Sequence, residues 1–592
     1  MANTIRIAGA SGYWGDAQLA TAQLLAAKPD YIVYDYLAEI TLGIMAAQRA
    51  KDPSAGFATD FVTGAMAPNL ARIAELKTKV ISNAGGINPM ACAETLRAEI
   101  DRQGLNLSVA TVTGDDLMGD LDAIAGAAPA EMFSAASFPA KATVQSINAY
   151  LGAFPVAAAL GTGADIVITG RCVDSAVTLG AAIHAFGWAA QDLDLLAAAS
   201  LAGHLIECGA QATGGNFTDW RDAGPADAVG YPFVDLATDG SFTLSKPEGT
   251  GGIISAASVG EQMLYEIGDP QAYILPDVVC DFSDVVIRQE GPNRVRVLGA
   301  KGRWIPDSYK TSLIYKDGWR ASQMIGFYGL EAAEKAHAFA HSVLLRTRAG
   351  LRGQNAPDFQ EVSVEVLGTG TQLGQTSRDS QEVVLKIAAR HVDPKALALL
   401  LKELAGLALS GPPGIGGFAG GRARPSPVMA LHSYLTPKSA VNANVLGPNG
   451  PLPKISAADP TAPTTPTRPA VPPSPDGPFT EVPLIRLAYA RSGDKGDTAN
   501  VGVIPRQPAW LPAIWHGLSE AHIRNTFAHV LTDTSDVTKF LLPGTQSLNI
   551  LMTQALGGGG HSSLRNDAQG KGFAQVLLAR TIPVPTTLAE AL

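Results

Sequence analysis

The densest polar run in the chain is Gly203-His204-Leu205-Ile206-Glu207-Cys208-Gly209-Ala210-Gln211-Ala212-Thr213-Gly214-Gly215-Asn216. On a helix through residues 201–208, His204, Glu207 and Cys208 stand at i, i+3 and i+4 and share one face. A histidine–carboxylate pair suits general acid–base catalysis, and a thiolate beside it suits nucleophilic attack. The competing reading is a packed helix end with a satisfied histidine and a buried thiol. The polar, glycine-rich continuation favours a site, with Gln211, Thr213, Gly214 and Asn216 as substrate contacts.

Further candidates lie in turns that follow short apolar runs. Asp35 and Glu39 set two carboxylates four residues apart, an arrangement suited to acid–base work. Asn83, Gly85, Gly86 and Asn88 form a loop whose amides can cradle an oxyanion. Arg171 in Gly170-Arg171-Cys172-Val173-Asp174 can bind a carboxylate in bidentate fashion, with Asp174 beside it. Asp115 and Asp116 end another turn, and with Asp35 they offer oxygens to a divalent metal, although no histidine joins them at ligand spacing. The first turn, residues 8–16 with Ser11, superficially fits a dinucleotide fingerprint. Its spacing is not G-x-G-x-x-G, and Tyr13-Trp14 fill it.

Two more glycine loops carry Gly251 and, near Arg422 and Arg424, a stretch able to hold a pyrophosphate. The latter lacks the Gly-Lys-Ser/Thr ending of a P-loop, which disfavours ATP hydrolysis. Near the C-terminus, Asp494 and Lys495 sit in one glycine turn, and Arg565 and Lys571 in another.

These residues must be positioned by the elements between them. Apolar runs at residues 5–10, 31–36, 80–84, 107–113 and 165–169 alternate with helix-like stretches. That alternation predicts an α/β fold with a doubly wound, mostly parallel sheet, with ligands beyond the carboxyl ends of its strands. From about residue 261 to 445 the pattern predicts an α+β second lobe, with hairpin strands at 278–287 and 294–299 and helices at 330–347 and 394–408. Proline density over residues 446–482 predicts an extended linker, and residues 483–592 a small C-terminal α+β domain.

Composition narrows the function. Of 592 residues 46% are hydrophobic and only 17% charged, which excludes a disordered chain. The net charge of −10 argues against nucleic acid as a main partner. The cysteines form no C-x-x-C pair, so they read as free thiols in a reducing compartment. No apolar run is long enough for a membrane span, and the N-terminus reads as a strand rather than a signal peptide. The expectation is a cytoplasmic protein, with a homo-oligomer suggested by the apolar, acidic body and its tethered domain.

The turns also carry a resemblance. Ala-Gly-Ala-Ser-Gly-Tyr-Trp-Gly-Asp (8–16), Tyr-Asp-Tyr-Leu-Ala-Glu (34–39), Asn-Ala-Gly-Gly-Ile-Asn-Pro (83–89), Gly-Arg-Cys-Val-Asp-Ser (170–175), the 204–216 stretch and Leu-Tyr-Glu-Ile-Gly-Asp-Pro (264–270) resemble the acyclic terpene utilisation AtuA family. Arg-Ser-Gly-Asp-Lys-Gly-Asp (491–497) resembles its accompanying ferredoxin-like domain. The resemblance implies catabolism of branched acyl groups at the CoA-thioester level. The implied chemistry is hydration or carbon–carbon cleavage of a 3-hydroxy-3-alkylglutaryl-CoA or enoyl-CoA type of substrate, CoA entering as part of that substrate. In this reading Glu207 or His204 is the acid or base, with Asp35 and Glu39 as alternatives. Arg171 anchors a substrate carboxylate, and the amides of Gly85 and Gly86 receive oxyanion charge. Two other readings stay open: a nicotinamide-dependent oxidoreductase using the first glycine turn, and a non-catalytic assembly subunit.

Overall fold

In the computed structural model, residues 3–16, 18–374, 377, 379–417, 423–455 and 457–592 are described. The five apolar runs become strands Thr4–Gly9, Tyr31–Tyr34, Lys79–Ser82, Val109–Thr113 and Ile166–Thr169. They pair in parallel, in the spatial order first, second, third, fifth, fourth. Alternate residues feed two cores on opposite faces: Ile7, Tyr31, Val33 and Ile81 on one side, Ala8, Ile32, Tyr34 and Val80 on the other. Burial on both faces is why these strands read as continuous apolar runs.

The sheet is mixed rather than mostly parallel. Eleven strands line up, and those outside the parallel five join antiparallel. Phe233–Ala237 and Phe242–Ser245 are a tight hairpin that the sequence reading does not foresee, and a short connection can only reverse the chain. The hairpin Val286–Gly291 and Arg294–Leu298, expected in the second lobe, extends this same sheet through Phe242–Ser245. Asn444–Gly447 seals the opposite edge against Val109–Thr113.

A second sheet is built on one strand, Ser308–Tyr328, of 21 residues. That is far longer than a usual strand, and a register shift between Lys316 and Trp319 lets its two halves serve different neighbours. The first half pairs with Val144–Ala149 and carries Lys310 to Tyr150, whose amide donates to the Lys310 carbonyl at 2.9 Å. The second half pairs with Glu382–His391, which helices Ala332–Gly353 and Pro394–Leu407 cover.

The proline-rich segment is extended and tied down. Arg468 clamps Asp269, Gln271 donates to the Thr467 carbonyl at 3.0 Å, and His516 of the small domain lies 2.8 Å from the Pro472 carbonyl. The small domain is a four-stranded antiparallel sheet of Ala488–Lys495, Thr498–Pro505, Ser547–Met552 and Val537–Leu542, with its own core against short helices. Among the described residues no helix is long and apolar enough to cross a membrane.

Candidate functional site

The parallel strands leave their turns on one edge, and the turns converge on Arg171. Its side chain is 3% exposed and lies over the Tyr150 ring at 4.0 Å. One Nη donates to the Leu37 carbonyl at 2.8 Å and to Asp174 at 2.9 Å, while the buried Nε has no partner. Burial opposes its charge, but Tyr150, Asp174, Glu39 and Asp35 outweigh it and hold the guanidinium well above its usual pKa. Asp115 fixes the Arg171 backbone, accepting its amide at 2.8 Å and the Asn148 side chain at 2.9 Å. Burial raises Asp115 to about 6. Gly170 is obligatory here, because a Cβ would stand 2.2 Å from the Asp115 carboxylate.

Asp35 and Glu39 flank this cation in opposite states. Asp35 is held by the Asn83 amide at 2.5 Å, and Ser11 donates to its carbonyl at 3.0 Å. Burial, then the charges of Asp174 and Glu207, push its carboxyl well above the usual range. Glu39 opens helix Glu39–Arg49 and accepts from Tyr150 Oη at 2.5 Å and Lys310 Nζ at 3.2 Å. Burial would raise it, but Lys310 and Arg171 overcome that and hold it well below its normal value.

The helix Leu193–Ile206 ends beside them. His204 Nδ1 and Glu207 Oε1 are 3.1 Å apart, the i, i+3 contact the spacing predicts. The other imidazole nitrogen lies 3.2 Å from the Met263 carbonyl, so both ring nitrogens are engaged and His204 holds Glu207 in place. Burial raises the Glu207 carboxyl. Cys208 leaves the helix, and burial with Glu207 and Glu266 nearby holds its thiol pKa well above normal, so a thiolate nucleophile is disfavoured there.

The small domain docks beside these residues within the same chain. Asn500 donates to the Leu264 carbonyl at 2.7 Å and accepts from the Glu266 amide at 3.0 Å, and Asn549 donates to the carbonyls of Ile267 and Gly268. Gly493 and Gly502 admit this loop, since a Cβ on either would stand within 2.5 Å of Glu266 or Leu264. Glu266 sits at φ 56°, a left-handed conformation costly for glutamate. Lys495 and Lys571 both reach it, at 3.4 and 3.0 Å, and Lys571 also meets Asp494 at 3.1 Å and the Tyr265 hydroxyl. Burial raises Glu266, but the two lysines pull it down to about 2. Lys495 keeps 47% of its side chain accessible. Burial disfavours its charge, but Glu266, Tyr273, Asp174 and Glu207 hold it firmly protonated.

Other candidates fall elsewhere. Gln211, together with the carbonyls of Gly215 and Asn216, receives Arg491 of the small domain, so this run is a docking surface. Thr213 bonds the Ala210 and Gly230 carbonyls, and Gly214 turns at φ 105°. A Cβ on Gly251 would stand 2.8 Å from the Ala228 carbonyl. Gly9 and Gly12 let the first turn lie against the backbone of Ile206 and Cys208, which accounts for them without a phosphate. Asn88 pins the Pro53 and Ala55 carbonyls. The Gly86 amide closes its own turn onto the Asn83 carbonyl, and a Cβ on Gly85 would strike the Thr169 carbonyl. Arg565 braces the Ala555 carbonyl inside the small domain. Arg424 is exposed, and Arg422 lies outside the described residues. Asp116 turns away to Arg49, and among the described residues no three His, Cys, Asp or Glu side chains converge as metal ligands.

Sequence reasoning misses Tyr150 and Lys310 as site residues. The available signal is a lysine in an otherwise buried strand segment, Tyr309 to Ile314. No curated protein and no solved structure matches the chain. Residues 482–583 match a domain described as the AtuA ferredoxin-like domain, and residues 5–446 match the description "Acyclic terpene utilisation family protein AtuA". With the larger match spanning well over half its length, the chain belongs to the acyclic terpene utilisation AtuA family.

Proposed function

We propose that the protein is a lyase or hydratase of acyclic terpene and branched-acyl breakdown, acting on an acyl-CoA thioester of the 3-hydroxy-3-alkylglutaryl-CoA or enoyl-CoA type. One observation carries this: around Arg171 the Glu39 carboxyl is held well below its usual pKa while burial pushes the Asp35 and Glu207 carboxyls up, with protonated Lys495 acting on Glu207's surroundings. Environments that push like groups apart in pKa mark acid and base partners. In dehydration, Glu39 takes the proton next to the thioester carbonyl while Glu207 protonates the departing hydroxyl. In cleavage, a base takes the hydroxyl proton and an acid returns one to the released enolate. Both routes build negative charge on the thioester oxygen, and Lys495 is the accessible cation for it. Arg171 is too enclosed to be the substrate anchor the sequence suggests, and instead sets the charge of its neighbours.

The test is mass spectrometry of the protein incubated with branched 3-hydroxyacyl-CoA and enoyl-CoA thioesters. A change of one water identifies a hydratase, and loss of an acetyl unit a lyase. Turnover must fall at least about 100-fold in Glu207→Gln. Absence of turnover across the panel overturns the thioester reading.

A further inference from the structure

Beyond the residues around Arg171, a groove of about 420 Å³ runs along the outer face of helix Glu39–Arg49. Ile40 and Ile44 stand in it 43% and 47% exposed, an apolar face one turn apart that no described residue covers fully. Met429 and Pro427 form the facing wall, and Gly560 with His561 of the small domain forms a third side. One end abuts the residues described above: Glu39 begins the helix and meets Lys310, which lies ten residues before Arg320 on strand Ser308–Tyr328. The other end is basic. Lys51 follows the helix C-terminus, and Arg320 lines the same groove, donating to the His561 carbonyl at 3.3 Å. Among the described residues no carboxylate pairs with Lys51 or Arg320.

We infer that this groove binds the pantetheine arm of coenzyme A, its thioester end at Glu39 and its phosphates at Arg320 and Lys51. The inference rests on the thioester reading and deepens it. Length and charge both select the occupant. Eleven helical residues span about 16 Å, the scale of an extended pantetheine arm rather than of a compact acid. An acyl chain alone would leave the basic end without a counter-charge, whereas a phosphate there makes charge-assisted bonds with guanidinium and ammonium. The amide-bearing arm suits a floor of isoleucine and methionine beside the polar groups of Gln48 and His561. Because His561 belongs to the small domain, docking of that domain completes the groove.

The experiment measures binding of CoA, pantetheine and 3′,5′-ADP to the full chain by calorimetry, with KM for any thioester turned over. Arg320→Ala and Lys51→Ala should each weaken CoA and 3′,5′-ADP about tenfold, as expected for one lost charge-assisted contact, and leave pantetheine unchanged. Arg320→Lys should recover part of the loss, and Ile44→Asp should weaken CoA and pantetheine together. Unchanged CoA affinity in the Arg320→Ala/Lys51→Ala double variant overturns the groove assignment, even if thioesters are turned over. An Ile44→Trp effect that depends on acyl length, with CoA affinity intact, overturns it in favour of an acyl tunnel. CoA binding with the Arg320 dependence but no turnover keeps the groove and overturns the reaction.

Discussion

The two sides of Arg171 use the same residue types to opposite ends. On the Glu39 side, one carboxylate faces two cations and a tyrosine, and stays ionised. On the Asp35 side, burial comes first and the charges of Asp174 and Glu207 add to it, so the Asp35 carboxyl is pushed well above its usual range and Glu207 is raised as well. Arg171 stands between, bonded to Asp174 and felt by Glu39 and Asp35. Burial acts the same way on all three carboxyls, so the direction of each shift is decided by the cations and carboxylates around it, not by residue identity. The same contrast recurs five residues apart in Glu261 and Glu266. Burial raises Glu261 to about 7 although Thr218 donates to it, whereas two lysines hold Glu266 at about 2.

Removing the shared cation should break the contrast most severely. Arg171→Met leaves buried carboxylates uncompensated and should cost about 3–5 kcal/mol of stability, read by urea unfolding. A loss under about 1 kcal/mol would show that the two sides are electrostatically independent. Glu207→Gln should leave the fold intact and lower kcat roughly 10²–10⁴-fold with KM little changed. His204→Asn should lower it less and move the Glu207 limb of the pH–rate profile rather than erase it. Equal losses in both would make His204 the proton carrier.

The glutamate pair sharpens the contrast through pH. Glu261 has a folded pKa raised above its unfolded value, so its contribution is fully present below about 4.5 and is lost as pH rises through about 7. Glu261→Gln should therefore gain about 2–3 kcal/mol on wild type at pH 8 relative to pH 4, measured by chemical denaturation. Glu266 has the opposite sign: its contribution is present above about 4.5 and lost as pH falls towards 2. A Glu261→Gln curve parallel to wild type would sink this assignment. The smallest effect belongs to the clasp. Asn549→Ala, which removes two donated bonds to the 267–268 carbonyls, should cost about 1–2 kcal/mol and loosen the small domain, read by amide exchange at Glu266.

Several elements were legible because their cause is local. The parallel strands show as apolar runs ended by glycine turns, within a residue or two of their true bounds, whereas both ends of the 446–482 stretch enter short ladders, Leu446 with Pro451 and Phe479 with Pro585, that its proline content does not foretell. The His204–Glu207 contact follows from helical spacing alone. The Phe233–Ser245 hairpin was not legible, because its two short strands belong to the sheet only through pairing with residues far away in sequence.

The sequence by itself determined which turns would lie together, since strand–turn–helix alternation places carboxyl ends on one edge whatever the flanking strands do. Tertiary structure alone decided what each charged group does there. Lys310 comes to Glu39 by the pairing of Ser308–Tyr328 with Val144–Ala149, and Lys495 reaches its carboxylates only when two asparagines dock a domain more than 200 residues downstream of the 264–268 loop. The proton on a carboxyl depends on burial and on charges within a few ångströms, and those distances are set by long-range packing that no local pattern encodes.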